Sequence, residues 1–235
     1  QHLERGQTVM FLAACGYMLQ PLVAVLRKTA IPFHNPYRKS NGFWNPLRMG
    51  CGSTPSRILA LLVAHPGFGA GRRDWTAGDL ALWAEWLTSE GVLKRGSKKK
   101  LQSLAPHGDV NIATLDDLFE TAALEALLST FDGDYRSLLE WWHRRVTASV
   151  FKRVQFPLDI AGAHGPAALI DVPRVVVGTI HSVKGGEADV VYLFPDLSGE
   201  ADRQYQRTGP PRDAVIRLFY VGMTRARHTL YICPM

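Results

Sequence analysis

The chain has 235 residues, 46% apolar, 20% charged and 10% aromatic, with 27 Lys and Arg against 21 Asp and Glu for a net charge of +6. That profile excludes disorder, collagen and a coiled coil, and leaves enough chain to bury a core of one or two domains. No apolar run reaches the ~18–20 residues a membrane span needs, and no charged-then-apolar leader follows Gln1.

Residues 8–14 read as a short buried strand, followed by a helix over 17–28 with Leu19, Leu22, Val23 and Leu26 at its apolar positions. A second short strand is expected at 31–33, after which Pro36, Gly42 and Pro46 break regular structure. Between 46 and 169 the pattern turns helical. Thr76 with Asp79 makes a capping-box pair ahead of Leu80, Trp83, Ala84 and Leu87. Thr114 with Asp117 repeats that signature ahead of Leu118, Phe119, Ala122 and Leu127, and Asp134 is placed to cap a third helix carrying Leu138, Leu139, Trp142 and Val146. From 170 the pattern is α/β again. The runs 175–179 and 189–194 are almost wholly apolar, as suits strands buried on both faces. A helix over 213–227 and a last strand over 229–233 complete the expectation. The expected fold is therefore α/β, with a parallel-sheet domain made of 1–45 and 170–235 and a mostly α-helical subdomain, 46–169, inserted between them.

Charge is unevenly spread. Residues 94–100 hold five cations and no acid, 109–134 hold seven acids and no Lys or Arg, and 136–153 return to net +4. A basic patch of this kind permits a polyanion partner, with the acidic run expected to face away from it. Cys15, Cys51 and Cys233 lie far apart, without disulfide or metal-ligand spacing, which fits a reducing, cytoplasmic setting. The eight histidines include no HxxxH or HxH pair, so no metal site is expected.

Two segments are rich in chemistry. The first runs from Gly178 to Asp189 and places Thr179, His181, Ser182, Lys184 and Glu187 in one loop between two buried strands, with Gly185 and Gly186 allowing a ligand to approach the backbone. Its bland rival, a solvated glycine-rich turn, suits any single residue better than the whole string. The second runs from Arg217 to Arg227, where Arg217, Tyr220 and Thr224 share a helix face and Arg225 offers a planar fork for phosphate oxygens. Arg227 and His228 are expected only to offset a helix dipole.

Together these segments resemble the UvrD/Rep family of superfamily 1 DNA helicases. Thr-Ile-His-Ser-Val-Lys-Gly-Gly-Glu, from Thr179, is similar to the family's fifth motif, T-x-H-x-x-K-G-L-E. Arg-Leu-Phe-Tyr-Val-Gly-Met-Thr-Arg-Ala, from Arg217, is similar to its sixth. Residues 8–38 resemble the strand–helix–strand that opens the second motor domain, and 46–169 sits where the family carries a mobile helical subdomain. The resemblance implies a RecA-like parallel sheet and assigns roles. Arg225 corresponds to the arginine that reaches the γ-phosphate of ATP. Lys184 and Gly185 correspond to the loop near the phosphates, Glu187 to the ribose contact, Arg217 and Tyr220 to support of the nucleotide cleft, and Thr179 and His181 to coupling with single-stranded DNA. ATP with Mg is the implied ligand, bound jointly with an N-terminal RecA-like domain of the same protein.

This sequence also departs from the family. Gly186 stands for the usual Leu and Ala188 for an aromatic, which predicts looser packing after the loop. Ala214 and Val215 replace two Glu. No G-x-x-x-x-G-K-[ST] occurs, so Asp196, after a Walker-B-like strand, reads as an ordinary loop residue, and the isolated chain is expected not to hydrolyse ATP. Lys98, Lys99 and Lys100, with Arg144, Arg145, Lys152 and Arg153, are candidates for contact with duplex or junction DNA. The alternative to a motor half is a non-catalytic helicase-like module that holds DNA or a protein. A nuclease appendage has no matching acidic cluster.

Overall fold

The computed structural model describes residues 1–40 and 42–233. In chain order its main elements are β1 (Val9–Ala13), α1 (Gln20–Lys28), β2 (Phe33–His34), α2 (Thr54–Leu62), α3 (Ala77–Ala84), α4 (Ser97–Ser103), α5 (Ile112–Leu118), α6 (Thr121–Leu128), α7 (Tyr135–His143), α8 (Ala148–His164), β3 (Val175–Thr179), β4 (Ala188–Phe194), α9 (Gly199–Tyr205), α10 (Pro210–Met223) and β5 (Ala226–Ile232). They fall into two compact units, Gln1–Arg48 with Val172–Met235, and Met49–Asp171.

The first unit is a five-stranded sheet in the order β2-β3-β1-β4-β5 with every pair parallel, an α/β arrangement compatible with a RecA-like fold. β1 is central because its apolar run is buried from both faces. Val9, Met10, Leu12 and Ala13 are all under 5% exposed. On one face Met10, Leu12, Val176, Val191 and Leu193 pack with Ile180 and Val183 under Leu218, Phe219 and Val221 of α10. On the other, Phe11, Tyr192 and Tyr231 stack in a row with ring centroids 5.0 and 4.8 Å apart.

The second unit is helical and built around indoles. Trp83 and Trp142 are fully buried, and the Trp142 indole N–H donates to the Trp83 carbonyl at 3.0 Å. The Thr76–Asp79 capping box forms as expected, each side chain accepting the other's backbone N–H. The second expected box does not. Thr114 is the third helical residue of α5, not its cap; Asn111 caps it, and α5 stops at Leu118, with Thr121 opening a separate helix, α6. Asp134 caps α7, but Val146 lies beyond its end and bridges to Leu87.

Boundaries shift in the sheet unit as well. Pro21 allows α1 to begin only at Gln20, after a 3-10 turn at Gly16–Leu19, and β2 is two residues long. α10 ends at Met223 rather than 227, and the last strand starts at Ala226. No helix is long and apolar enough to cross a membrane among the described residues.

Candidate functional site

β3 and β4 are joined by only eight residues, although β1 lies between them. The connection leaves the carboxyl end of β3 at Thr179, crosses the α10-side face as a 3-10 turn at Ile180–Val183, and enters β4 at its amino end. The chemistry-bearing loop is thus spread along the sheet, with Thr179 near one edge and Glu187 near the other.

The turn is fixed from below. The Thr179 hydroxyl accepts the Ser182 N–H at 3.2 Å, and the Ser182 hydroxyl donates to the Thr179 carbonyl at 2.9 Å. Asn35, fully buried just past β2, donates to the Val177 carbonyl at 3.0 Å and the Ser182 hydroxyl at 3.1 Å. A Cβ on Gly178 would come within 2.5 Å of that amide, so only glycine fits beneath the turn. His181 and Lys184 are exposed, and Gly185 holds φ +84°, where a side chain would be strained.

Gly186 corrects an expectation. A Cβ there would overlap the Tyr37 hydroxyl, so the missing leucine leaves no slack: the Tyr37 ring occupies its place. Ala188 is 1% exposed and joins the core, so packing after the loop is not loose there either.

Arg225 ties the loop to the end of α10. Its Nε donates to the Val221 carbonyl at 2.9 Å, Nη1 to the Gly186 carbonyl at 3.2 Å and Nη2 to the Thr224 hydroxyl at 3.0 Å. The Ala188 N–H donates in return to the Arg225 carbonyl at 3.0 Å. A guanidinium has five N–H donors, so one on each Nη has no hydrogen bond given to it among the described residues. Arg217 and Tyr220 are both exposed on α10, Tyr220 by 62%.

Arg227 and His228 are not helix-terminal, contrary to expectation. They stand on β5 beside carboxylates, Arg227 at 3.2 Å from Glu187 and His228 at 3.7 Å from Asp189. Asp189 also accepts the Thr8 N–H at 2.8 Å and the Thr8 hydroxyl at 2.9 Å; those hydrogen bonds, foremost the backbone one, hold its carboxyl below the usual range. Asp196 lies in the loop after β4.

The second half of the basic run 94–100 forms the start of α4, and the run does not stand apart from the acidic one. Lys94 pairs with Asp116, Lys100 with Asp117 at 2.7 Å, and the Lys98 ammonium donates to the Glu85 carbonyl at 3.2 Å, while Lys99 is exposed. In the second cluster, Arg144 pairs with Glu140, Arg145 lies over Trp141 at 4.8 Å and Arg153 over Trp86 at 5.0 Å, while Lys152 is exposed. No group of three His, Cys, Asp or Glu able to hold a metal occurs among the described residues.

Sequence reasoning passed over Asn35, Tyr37, Trp44 and Asn45. The signal was available: no acid occurs from residue 5 to residue 73, and aromatic and basic residues interleave over 37–48.

No curated protein matches the chain. Residues 174–233 match the model of the UvrD-like helicase C-terminal domain, a span that takes in β3, the crossing loop, β4, α10 and β5. Loop and helix end, locked together through Arg225, thus fall within one family's signature, which places this region with the C-terminal part of the UvrD/Rep-like superfamily 1 helicases.

Proposed function

We propose that the chain supplies the second motor half of an ATP-dependent DNA helicase or translocase. Its nucleotide binds between this half and an N-terminal RecA-like domain that carries the phosphate-cradling loop. The observation that carries the reading is the Arg225 guanidinium. Three of its donors are held by Val221, Gly186 and Thr224, which fixes its plane, and one N–H on each Nη is left for the γ-phosphate. A pre-aimed cation costs little reorganisation when charge develops in phosphoryl transfer.

On this reading Lys184 and Gly185 approach the phosphates and Glu187 takes the ribose. The Glu187 pair with Arg227 is exposed, with side chains 52% and 56% accessible, so water screens it and a hydroxyl group can compete. Arg217 and Tyr220 line the cleft from α10. Thr179 and His181 couple the site to single-stranded DNA, His181 through its exposed ring and Thr179 by setting the turn that carries it. The described residues offer Mg no ligand cluster, so the ion is assigned to the nucleotide and the partner domain, and no step here runs through it. The setting is cytoplasmic, with all three thiols free.

The test is single-stranded-DNA-stimulated ATPase of the full-length protein with Arg225→Ala. The expected loss is ~10³–10⁵ in rate, with DNA affinity retained and poor rescue by Arg225→Lys, which lacks the fork. Turnover close to wild type in Arg225→Ala would overturn the assignment. The 235-residue chain alone should release no phosphate from ATP above background.

A further inference from the structure

We propose that the cleft between α3 and α4 of the helical unit is a docking site for an acidic segment of a partner protein that carries an apolar anchor. The proposal goes beyond the motor reading and does not depend on what Arg225 does.

The first observation is α3 itself. Its eight residues, Ala-Gly-Asp-Leu-Ala-Leu-Trp-Ala, include one charge, and that charge, Asp79, is spent on the Thr76 cap and on Arg73. Ala77, Leu80, Trp83 and Ala84 are buried in the core. A surface helix carries polar residues on its opposite face, yet α3 presents Gly78, Ala81 and Leu82 there, all half-buried. A helix apolar all round belongs under cover on both sides.

The second is a preformed cavity on that face. Gly78, Ala81 and Leu82 line it from α3, with Glu85 at the helix end. From α4 it is lined by Leu101, 3% exposed, and by Lys98 and Gln102. Its volume is about 310 Å³, and it is partly open to solvent. That is the small end of the ~300–1,000 Å³ usual for binding sites, enough for an anchoring side chain and little more. Both helices are pinned. The Gly78 N–H donates to the Pro106 carbonyl at 2.9 Å, so close that a Cβ on Gly78 would lie 2.9 Å from the same oxygen. Buried Arg57 donates to the Leu82 carbonyl and pairs with Glu85 at 2.6 Å. Buried Ser97 donates from its hydroxyl to the Leu118 carbonyl at 2.7 Å, and the Lys98 ammonium reaches across to the Glu85 carbonyl at 3.2 Å. A cavity held open in this way costs little ordering to fill.

The third is charge, and it selects the occupant. No acid stands between Glu90 and Asp109, a stretch that holds Lys94, Arg95, Lys98, Lys99 and Lys100. Asp116 and Asp117 take Lys94 and Lys100. Arg95, Lys98 and Lys99 meet no carboxylate among the described residues, and the cleft's own acid, Glu85, is engaged by Arg57. The apolar walls complement an aliphatic or aromatic side chain, and the cations beside them complement carboxylates flanking it. Duplex DNA would satisfy the lysines but has no apolar group for Leu82 and Leu101. A small amphiphile needs most of its surface enclosed, which a partly open cleft does not provide. The occupant is therefore an acidic protein segment, anchored by one side chain and continuing over the surface of α4.

The test follows the anisotropy of a labelled synthetic octapeptide, Ser-Glu-Asp-Leu-Phe-Glu-Asp-Ser, with the full-length protein. One control replaces Leu-Phe with Ser-Ser, and a second replaces every acid with its amide. The matched peptide should bind, and each control should bind about 5-fold more weakly or worse, as expected when an anchoring contact is lost. Ala81→Gln, which fills the cleft from its half-buried wall, should weaken the matched peptide by a similar factor at an unchanged melting temperature. Lys98→Glu with Lys99→Glu should weaken it too, and should gain affinity for a peptide with Lys in place of each acid. That charge exchange decides the matter even if Ala81→Gln fails to fold. Absence of binding by the matched peptide would overturn the proposal, as would equal binding of the Ser-Ser control, which would reduce the cleft to a polyanion surface. A duplex oligonucleotide that loses as much affinity as the peptide in Ala81→Gln would assign the face to DNA and overturn it as well.

Discussion

The helical unit and residues 5–48 of the sheet unit handle positive charge differently. In the helical unit cations meet carboxylates: Arg57 with Glu85 at 2.6 Å, Arg73 with Asp79, Lys100 with Asp117 and Arg136 with Asp134 at 2.9 Å. In residues 5–48 of the sheet unit there is no acid to meet, and cations lie on rings or carbonyls instead, Arg38 on Trp44 and Arg48 on the Lys39 carbonyl. The lesson is that a dense run of lysines is no measure of unneutralised charge. The run 94–100 is denser in charge, yet folding brings its own counter-ions to it.

The comparison breaks most sharply at Arg225, whose loss is expected to cost the most, followed by the buried tryptophans. Trp83→Ala should destabilise the helical unit by about 3–5 kcal/mol, read by chemical denaturation, because it empties a fully buried site and disturbs the backbone that Trp142 grips. Gly186→Ala should cost about 1–3 kcal/mol by overpacking against Tyr37, and the double variant with Tyr37→Ala should recover part of it. Additive losses would show that the ring is not what holds the space.

A smaller effect sits at Asp79. Burial alone would raise its carboxyl, but hydrogen bonds from Arg73 and Thr76 outweigh that and hold it below the usual value. A depressed folded pKa contributes stability above the unfolded value and loses it as pH falls through the folded one. Stability of the helical unit should therefore drop below pH ~4, and Asp79→Asn should flatten that drop while costing about 1 kcal/mol at neutral pH. Changing Lys98, Lys99 and Lys100 together to Ala sharpens the charge comparison most gently. If DNA crosses α4, the log–log salt slope for duplex falls by roughly 0.9 per lost contact. If the Lys100–Asp117 pair is the resting arrangement in the complex too, the slope stays nearer wild type.

What could be read in advance follows physical lines. Strands β1, β3 and β4 announced themselves because doubly buried strands are continuous apolar runs, and the Thr76 cap because its partner stands three residues on. The end of α10 did not. Met223-Thr224-Arg225-Ala226 contains no Gly or Pro, and the helix stops because Ala226 and its neighbours pair with β4. The break between α5 and α6 is silent for the same reason; Phe119 leaves the helix to bridge Leu93, a contact between residues 26 apart. At the site, Thr179, Lys184, Glu187 and Arg225 could be named from their motifs. The Arg225–Gly186 link and the Tyr37 ring over Gly186 could not, because both depend on how a crossing loop lies over a sheet.

The central place of β1 has a consequence for how the protein is made. Both of its partners, β3 and β4, begin more than 160 residues later in the chain. At typical synthesis rates of ~5–20 residues per second, β1 waits roughly 10–30 s before either neighbour emerges. Over that interval Val-Met-Phe-Leu-Ala is an apolar strand with both edges open, while the helical unit, whose segment is contiguous, can complete its core. Strand pairing across such separations is slow in any case, since the loop must close before the contacts form. Refolding from denaturant should accordingly show two phases, a fast one in tryptophan burial around Trp83 and Trp142 and a slow one in sheet formation, with aggregation concentrated in the gap between them.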